Sequence, residues 1–390
     1  MGARHADEQP VTSEPVRGGY PEPWTLALPG AERLARFRRG LAPAPPLSRL
    51  TGSRPTGFGD GTGDAEMPAS GWLANSAGLL SGGTLAILAD VAFGVAVETQ
   101  VAAATPYTTA ELSLTFLRPA RPGATLTAHG QAIHVGRSLG LAEVFVLDPR
   151  GERMIAHGTS RISILPRVDG LPEPPPEDLR DTPPDAGPRD TPPDAGPPDT
   201  PPAAGSLDPP AEPGSPDPYL RPPPEAAILP QAVWAELRGR EILERQLRGE
   251  LPAPPIHHLT GIEPTEVSEG TATLRMPASE WLNSPARRLQ GGTIAMLAEQ
   301  AMIIAALTTS PAGTAIAGVD LKANFLRPVQ GDGGELVAEA RVEHAGRTLA
   351  ISRARVTNAE GKPVLLATGT AMYLPGRPAN LGPEIELSGG

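Results

Sequence analysis

Two glycine pairs, each followed seven residues later by an acid, are the residues in this chain best suited to chemistry. Gly82-Gly83 precedes Asp90, and Gly291-Gly292 precedes Glu299, with the two copies 209 residues apart (291 − 82). The intervening residues are mostly apolar, as in a buried helix that begins at the glycines. Unpaired N–H groups at a helix start can stabilise an oxyanion, and a nearby carboxylate can act as base or nucleophile. The duplicated pattern therefore indicates chemistry at a helix end.

These segments belong to a longer internal repeat. At the same offset the two copies share a Pro-Ala-Pro-Pro cluster, a Met-Pro-Ala-Ser segment followed by Trp-Leu, and a Phe-Leu-Arg-Pro segment. Each unit spans about 125 residues, which is the size of a domain and far longer than a solenoid repeat. The chain therefore contains a duplicated domain.

Hydrophobic patterns predict the helices that position the glycines and acids. A central helix is expected over 84–99 and again over 293–308, apolar on nearly every face and therefore buried. Before it, the pattern predicts an amphipathic helix, weak at 31–39 and stronger at 231–247. After the helix at 31–39 we expect a strand over 50–56 and then a glycine turn.

Alternating patterns predict a run of strands after each central helix. They are expected at 108–117, 125–135, 139–147 and 154–165, and at 318–326, 335–344, 349–357 and 364–374. One buried helix followed by consecutive antiparallel strands is an α+β unit whose sheet wraps the helix.

A proline-rich segment separates the two units. Between Pro172 and Pro224 lie 21 of the 49 prolines, and 11 acids against three arginines give −8 of the formal charge of −11. Such a segment lacks the apolar surface needed to offset its ordering entropy. The predicted boundaries are a disordered tail at 1–23, domains at 24–167 and 225–378, a disordered linker at 168–224 and a tail at 379–390.

Composition excludes several classes of function. The charge outside the linker is close to balanced, which argues against a nucleic-acid surface. The chain has no cysteine and no clustered histidine and carboxylate ligands, so we expect no metal site. It has no apolar run of membrane-spanning length, and we expect a cytoplasmic protein without a membrane span.

The glycine–acid segment resembles the Asn-x-x-Gly-x-x-His-Gly-Gly motif of the hotdog acyl-CoA thioesterases of the phenylacetyl-CoA thioesterase (PaaI) type. The first copy has Asn75 and Gly78 at the first two motif positions, with Ser81 in place of histidine. The second copy has Ser284 in place of asparagine and Gln290 in place of histidine. The resemblance covers both units and implies two hotdog domains, each an antiparallel sheet wrapped around one long central helix, packed as an intramolecular pseudo-dimer.

The resemblance also implies roles for individual residues. Gly82 and Gly291 become the oxyanion donors, and Asp90 and Glu299 become the base or nucleophile. Asn75 then helps to hold the thioester carbonyl.

Each implied site combines the glycines of one repeat with the acid of the other. One joins Asn75, Ser81 and Gly82 to Glu299. The other joins Ser284, Gln290 and Gly291 to Asp90 and to Thr109, which matches a family hydroxyl that orients water; Gly318 stands at the corresponding position of the second repeat.

Structural roles remain open for several of these residues. Either acid could be an ordinary helix-surface or ion-paired carboxylate, the glycines could serve close packing, and Asn75 could close a turn. Four arginines recur in pairs and could bind the phosphates of coenzyme A or hold strand ends. They are Arg118, Arg137, Arg327 and Arg347.

The leading hypothesis is a thioester hydrolase that acts on acyl-CoA as its partner molecule, without a separate cofactor. The first alternative is a non-catalytic acyl-CoA binding or sensing protein that has lost the histidine. A hotdog enoyl hydratase would need an Asp and His pair near the helix, and neither copy has that histidine. The sequence leaves open the acyl group, the choice between coenzyme A and acyl carrier protein, and further homo-oligomerisation.

Overall fold

The computed structural model of the protein describes residues 9–123, 125–148, 151, 153–176, 180, 214–224 and 227–379. Each repeat has one long helix, which we call the first central helix (Gly82–Glu98) and the second central helix (Gly291–Leu307). The strands of the first repeat are β1 (Arg54–Gly59), β2 (Thr62–Pro68), β3 (Tyr107–Phe116), β4 (Thr125–Val135), β5 (Leu139–Leu147) and β6 (Met154–Ile164). Those of the second are β7 (Glu263–Ser268), β8 (Thr271–Pro277), β9 (Thr314–Phe325), β10 (Glu335–Ala345), β11 (Leu349–Thr357) and β12 (Pro363–Pro375).

Shorter helices precede these elements in both repeats. The α-helices are Gly30–Arg38, Pro46–Thr51, Gln231–Glu236, Gly239–Leu247 and Pro255–Thr260. The 3₁₀ turns are Val11–Ser13, Pro23–Ala27, Gly71–Leu73, Pro218–Leu220 and Glu280–Leu282.

All twelve strands form one antiparallel sheet in the order β1-β2-β4-β5-β6-β3-β9-β12-β11-β10-β8-β7. The two halves of this order mirror each other, and they meet where β3 pairs with β9, with Leu112 opposite Ala323 and Leu114 opposite Leu321. Alternate residues of β5 are buried, as the period of two requires for a strand with one face on the core. The α+β class and the antiparallel strands predicted from the sequence are therefore confirmed.

The central helices are buried because the sheet covers them and because they contact each other. The first packs against β2, β4 and β5, and the second against β8, β10 and β11. One continuous apolar cluster includes side chains of both repeats. Along the described ranges, none of the helices combines the length and the apolarity needed to cross a bilayer.

Two local predictions are wrong. The strand predicted over 50–56 begins only at Arg54, because residues 46–51 form a helix. Proline begins a helix well, and Gly52 ends this one with a left-handed φ of 75°. The helix predicted over 231–247 is broken after Glu236, where Leu237 is extended. The second piece starts at Gly239, which packs on the end of the second central helix: a Cβ there would lie 2.0 Å from the Leu307 carbonyl oxygen.

The N-terminal tail was expected to be disordered, and this is wrong for residues 9–23. The Trp281 indole donates a hydrogen bond to the Glu14 carbonyl oxygen at 3.0 Å. The Glu14 carboxylate in turn accepts two hydrogen bonds, each of 2.8 Å, from Arg221 at the end of the linker. The Trp72 indole holds the Arg221 carbonyl oxygen at 2.8 Å. These long-range contacts order both segments; residues 1–8, most of the linker and residues 380–390 lie outside the described residues.

Candidate active site

Each central helix begins at the first glycine of its pair, and the second glycine lets the two helices approach each other. A Cβ on Gly83 would lie 2.6 Å from the Cα atom of Met296, and one on Gly292 would lie 2.6 Å from the carbonyl oxygen of Ala86. Real Cβ atoms do not come so close to backbone, so only glycine fits. The starts of the two helices therefore pack each against the other repeat.

The first glycines have a different neighbourhood. Gly82 and Gly291 are half-buried, whereas the second glycines are buried. A Cβ on Gly82 would lie 2.4 Å from the Phe116 ring, and one on Gly291 would lie 3.3 Å from the Phe325 ring. Glycine at this position thus keeps space between the helix start and a phenylalanine at the end of β3 or β9.

Asp90 lies in the first central helix, but its carboxyl group faces the start of the second. Its Oδ2 accepts a hydrogen bond from the Gly292 N–H at 3.0 Å, and its Oδ1 accepts one from the Thr109 hydroxyl at 2.8 Å. The residue is 7% exposed. Burial raises the pKa of Asp90, while the hydrogen bonds from Thr109, Gly292 and Gly291 act in the opposite direction. Asp90, Thr109 and the second glycine pair therefore form one cluster.

Glu299 occupies the matching position in the second central helix and faces the start of the first. It is 3% exposed, and burial raises its pKa to about 7. Hydrogen bonds from the Gly83 and Gly82 N–H groups and from Gln300 oppose that rise. Gly318 of β9 lies beside it, and a Cβ there would be 3.5 Å from Glu299 Oε1. This carboxyl group therefore has no threonine of the kind that supports Asp90.

Two further polar residues near Glu299, Gln300 and His257, were missed by the sequence interpretation. The Gln300 amide donates a weak hydrogen bond of 3.3 Å to Glu299 Oε2. His257 lies next to Gln300, and burial lowers the pKa of His257 to about 3, so its ring is neutral near pH 7. The first repeat has Val91 and Ser48 at these positions. A glutamine directly after the acid in an apolar helix was the available signal.

Serine and glutamine occupy the positions that correspond to the family histidine. The Gln290 amide donates to the Ile87 carbonyl oxygen of the first central helix at 3.1 Å. Among the described residues, neither Gln290 Oε1 nor the Ser81 hydroxyl has a hydrogen-bond partner, and both are buried. The Gln290 donor is therefore used between the helices, whereas the Ser81 hydroxyl stays available beside Gly82.

Asn75 closes the turn that leads to the first central helix. Its Oδ1 accepts hydrogen bonds from the N–H groups of Ala77 at 2.9 Å and Leu79 at 3.2 Å. Ser284 has the same place in the second repeat, where its hydroxyl accepts from the Ala286 N–H at 3.3 Å. These turn contacts use the side-chain oxygen of Asn75, and its Nδ2 donors take no part in them.

The four arginines divide into two kinds. Arg118 donates to the Met154 carbonyl oxygen at 2.6 Å, and Arg327 makes the matching bond to the Pro363 carbonyl oxygen. Both bonds hold the beginning of the last strand of a repeat. Arg137 and Arg347 lie exposed in the β4–β5 and β10–β11 turns. None of these contacts joins an arginine to the carboxyl groups.

The arrangement has the parts that acyl transfer to water requires. Polarised N–H groups at a helix start can stabilise an oxyanion. A carboxylate with a raised pKa beside them is a better proton acceptor near neutral pH than an ordinary one. The site occurs twice, once at each helix start.

Comparison with known proteins gives a domain-family match in each repeat. Residues 77–155 and 288–365 each match the model of the Thioesterase superfamily. Over 122 residues the chain is 28% identical to a Halobacterium salinarum protein named as an esterase, covering 29% of this chain and 79% of that protein.

Solved structures of similar proteins include two with thioesterase descriptions. A phenylacetic acid degradation-related protein from Ralstonia eutropha is 28% identical, with a TM-score of 0.32, over 34% of this chain and 98% of its own. A protein from Novosphingobium aromaticivorans described as a thioesterase is 16% identical, with a TM-score of 0.47, over 83% and 98%.

The two matched ranges fall one in each repeat, and each contains a central helix with its acid. The chain therefore carries two Thioesterase superfamily domains in tandem, one in each repeat, and it is a thioester hydrolase.

Proposed function

We propose that the protein hydrolyses the thioester bond of acyl-CoA at two composite sites within an intramolecular pseudo-dimer. One observation carries the proposal: the acid of each repeat lies at the glycine start of the other repeat's central helix, with Gly292 N–H 3.0 Å from Asp90 Oδ2. The pairing of β3 with β9 supports the same arrangement. Each site then needs both halves of the chain.

We assign different tasks to the two glycines of a pair. The second glycine N–H, from Gly83 or Gly292, holds the carboxyl group of the opposite repeat. The first, from Gly82 or Gly291, also donates to that carboxyl group, but it is half-buried and is the better candidate to meet the thioester oxygen when the substrate binds. As negative charge develops on that oxygen, one such donor is worth roughly 3 to 4 kcal/mol of barrier.

The carboxylate can act in two ways. As a base it takes a proton from water while the water oxygen attacks the acyl carbon, the C–S bond breaks, and the thiolate of coenzyme A takes up the proton. As a nucleophile its oxygen attacks the acyl carbon, the C–S bond breaks and the thiolate of coenzyme A leaves, which gives a mixed anhydride. Water then cleaves the anhydride to the free acid and the original carboxylate, and the thiolate takes up the proton that is released. Thr109 would orient the water at the Asp90 site.

Other residues are proposed to hold the substrate. The Asn75 amide donors, which lie outside its turn contacts, would meet the thioester carbonyl. Arg118, Arg137, Arg327 and Arg347 would meet the phosphates of coenzyme A, whose geometry suits bidentate guanidinium contacts. The reaction as proposed uses no separate cofactor, because coenzyme A is part of the substrate, and we expect it to take place in the cytoplasm.

Release of free thiol from a panel of acyl-CoAs tests the proposal. Wild type is compared with Asp90→Asn, Glu299→Gln and the double variant, and with Glu250→Gln, an exposed acid, as the matched control. We expect the double variant to lose at least about 10²-fold in kcat/KM, the usual contribution of a general base. Each single variant should lose only its own site. Full activity in the double variant, or no turnover of any acyl-CoA by wild type, would refute the proposal.

A second candidate is an acyl-CoA binding protein without turnover. It is favoured by the Gln290 amide, which contacts the Ile87 carbonyl oxygen where a substrate-positioning histidine is expected. This candidate predicts saturable binding of acyl-CoA by wild type with no thiol release. The same panel, with calorimetric titration added, separates the two candidates.

A further inference from the structure

Two segments cross from one repeat to the other. We call residues 9–20 the N-terminal strap and the described residues of 214–229 the linker strap. The N-terminal strap precedes the first repeat but packs on the second, where the Trp281 indole donates a hydrogen bond to its backbone at 3.0 Å. The linker strap precedes the second repeat but packs on the first, where the Trp72 indole donates to its backbone at 2.8 Å. The two straps are therefore exchanged between the repeats.

Tyr20 of the N-terminal strap contacts the second motif turn, which we define as residues 283–289. Its hydroxyl accepts a hydrogen bond from Asn283 Nδ2 at 2.9 Å and donates one to Glu280 Oε1 at 2.7 Å. The Arg287 guanidinium lies over its ring, 4.4 Å from the ring centroid. One side chain of the strap therefore holds this turn at two points.

The second motif turn leads directly to the start of the second central helix. Asn283 and Leu289 close the turn by pairing with each other in an isolated β-bridge. The helix begins two residues after Leu289, at Gly291, the proposed oxyanion donor of the Asp90 site. A shift of the turn would therefore move the Gly291 N–H relative to the thioester oxygen.

Arg287 needs a supporting contact because its backbone is strained. Its φ is 57°, in the left-handed region that the Cβ of an ordinary residue disfavours. The first repeat has Gly78 at the matching position, with a φ of 75° that glycine adopts easily. The contact with Tyr20 therefore offsets strain that the first repeat avoids.

The linker strap supports the first motif turn, residues 74–80, in a different way. One of its N–H groups donates to a carbonyl oxygen of the turn at 2.9 Å. Its Ile228 packs on Gly78, where a Cβ would lie 3.4 Å from the Ile228 Cγ2 atom. This turn leads to the helix start that serves the Glu299 site. Each composite site is therefore supported by a different strap.

From these contacts we propose that Tyr20 is a positioning residue of the Asp90 site, which holds the second motif turn so that the Gly291 N–H meets the thioester oxygen. The inference rests on the proposed thioesterase function and adds a residue of the N-terminal strap to one of its two sites. Misplacing a catalytic group by about 1 Å can cost about 10²-fold in rate. Because Tyr20 holds the turn of one site, its effect should be confined to that site.

The test measures the two sites separately, with the acyl-CoA of the panel that wild type hydrolyses fastest. In the Glu299→Gln background the Asp90 site alone reports, and Tyr20→Ala should lower kcat roughly tenfold with little change in KM. In the Asp90→Asn background the Glu299 site alone reports, and Tyr20→Ala should leave its rate unchanged. Tyr20→Phe keeps the ring under Arg287 but removes the hydroxyl, so it should lower kcat at the Asp90 site by about three- to fivefold.

Two further variants separate the contacts. Arg287→Gly introduces the glycine of the first repeat and removes the strain. In the Glu299→Gln background, adding it to Tyr20→Ala should reduce the tenfold loss to less than about threefold. Ile228→Ala is the reciprocal change, and it should lower kcat in the Asp90→Asn background alone.

Phe58→Ala is the matched control. It removes another half-buried ring that lies under an arginine, with Arg38 4.9 Å from the ring centroid, on the edge strand β1. It should change the rate of neither site. Equal losses from Tyr20→Ala at both sites, no loss at the Asp90 site, or a loss that Arg287→Gly leaves undiminished would each overturn the inference.

If wild type hydrolyses no acyl-CoA, the proposed function fails and the turn is followed by amide hydrogen exchange instead. Tyr20→Ala should then speed exchange over 284–292 by roughly tenfold and leave exchange over 75–83 unchanged. The same exchange rates in wild type and Tyr20→Ala, or an equal increase in both segments, would overturn the inference.

Discussion

The Asp90 site and the Glu299 site have the same backbone arrangement, but different groups donate hydrogen bonds to the two acids. In both, the acid lies at the glycine start of the opposite helix. Asp90 receives a threonine hydroxyl in addition to backbone N–H groups. Glu299 has glycine in place of that threonine and receives a weaker bond from a neighbouring amide.

The repeated helix start therefore determines where each carboxyl group lies, while the residues around that group determine its pKa. Burial raises the pKa of both acids, and each added donor reduces that effect. With fewer strong donors, Glu299 reaches a pKa of about 7. The ionisation of the two acids can therefore be adjusted separately.

The largest expected effect comes from separating the two central helices at their starts, because both sites depend on that close packing. Gly292→Ala would place a Cβ 2.6 Å from the Ala86 carbonyl oxygen, where two backbones must separate. We expect it to lower the free energy of unfolding by about 3 kcal/mol. Gly291→Ala meets Asp90 Oδ2 first, at 3.1 Å, and should cost less than 1 kcal/mol. Urea unfolding measures both, and equal losses would contradict close helix packing at the second glycine.

The next effect concerns the ionisation of Glu299. Its pKa is about 7 in the folded protein against 4.5 ordinarily, so between these pH values the folded state binds more protons than the unfolded state. Relative to Glu299→Gln, the free energy of unfolding of wild type should therefore fall by roughly 3 kcal/mol as pH rises from about 4.5 to 7. The comparison with the variant is needed because the lowered pKa of His257 changes stability in the opposite direction below about pH 6.5. Glu299→Gln should remove this loss and be more stable than wild type at pH 8. Urea unfolding at pH 5 and pH 8 measures the difference.

Ionisation of Glu299 destabilises the folded protein, but it should increase the rate of catalysis. In the Asp90→Asn background, kcat/KM should rise with pH about a midpoint near 7, because only the ionised Glu299 can accept a proton. A Glu250→Gln control, at a fully exposed acid, should alter neither the stability slope nor the rate midpoint. A flat rate profile, together with the same stability profile in wild type and in Glu299→Gln, would show that Glu299 does not titrate in this range.

Much of the fold could be predicted from the sequence because the repeat reports each element twice. The central helices and the strands after them have strong local patterns, and their predicted ends lie within a few residues of the observed ones, apart from β9, which begins at Thr314 instead of 318. The short helix at 46–51 was missed because proline and glycine fix its ends by backbone geometry rather than by a hydrophobic period.

The rest depends on contacts between residues far apart in the chain. Glu14 lies in a polar, proline-bearing segment with no local pattern, yet it is held by Arg221 and Trp281. The contact of Gln290 with Ile87 joins the two repeats and has no signature within either. The motif identified which residues could do chemistry, but side-chain partners required the three-dimensional arrangement.

A smaller effect should follow from giving the second site the hydroxyl of the first. Gly318→Thr adds a side chain whose Cβ would lie 3.5 Å or more from its nearest neighbours, which is ordinary contact, and the nearest of them is Glu299 Oε1. Its hydroxyl should lower the pKa of Glu299, as Thr109 does for Asp90. In the Asp90→Asn background, the rate midpoint should move to lower pH, with a several-fold gain at pH 6. Gly318→Ala adds only the methyl group and should leave the midpoint unchanged; equal behaviour of the two variants would contradict the role of the hydroxyl.

The smallest effect is expected from the amide behind Glu299. Gln300→Val introduces the residue of the first repeat and removes a bond of 3.3 Å, so the pKa of Glu299 should rise. The rate midpoint in the Asp90→Asn background should move to higher pH by less than Gly318→Thr moves it to lower pH. Gln300→Leu also removes the amide but is not β-branched, so it separates this effect from helix propensity. If both variants lower the melting temperature without moving the midpoint, Gln300 serves packing alone, and the difference between the two sites then depends on Thr109 and Gly318.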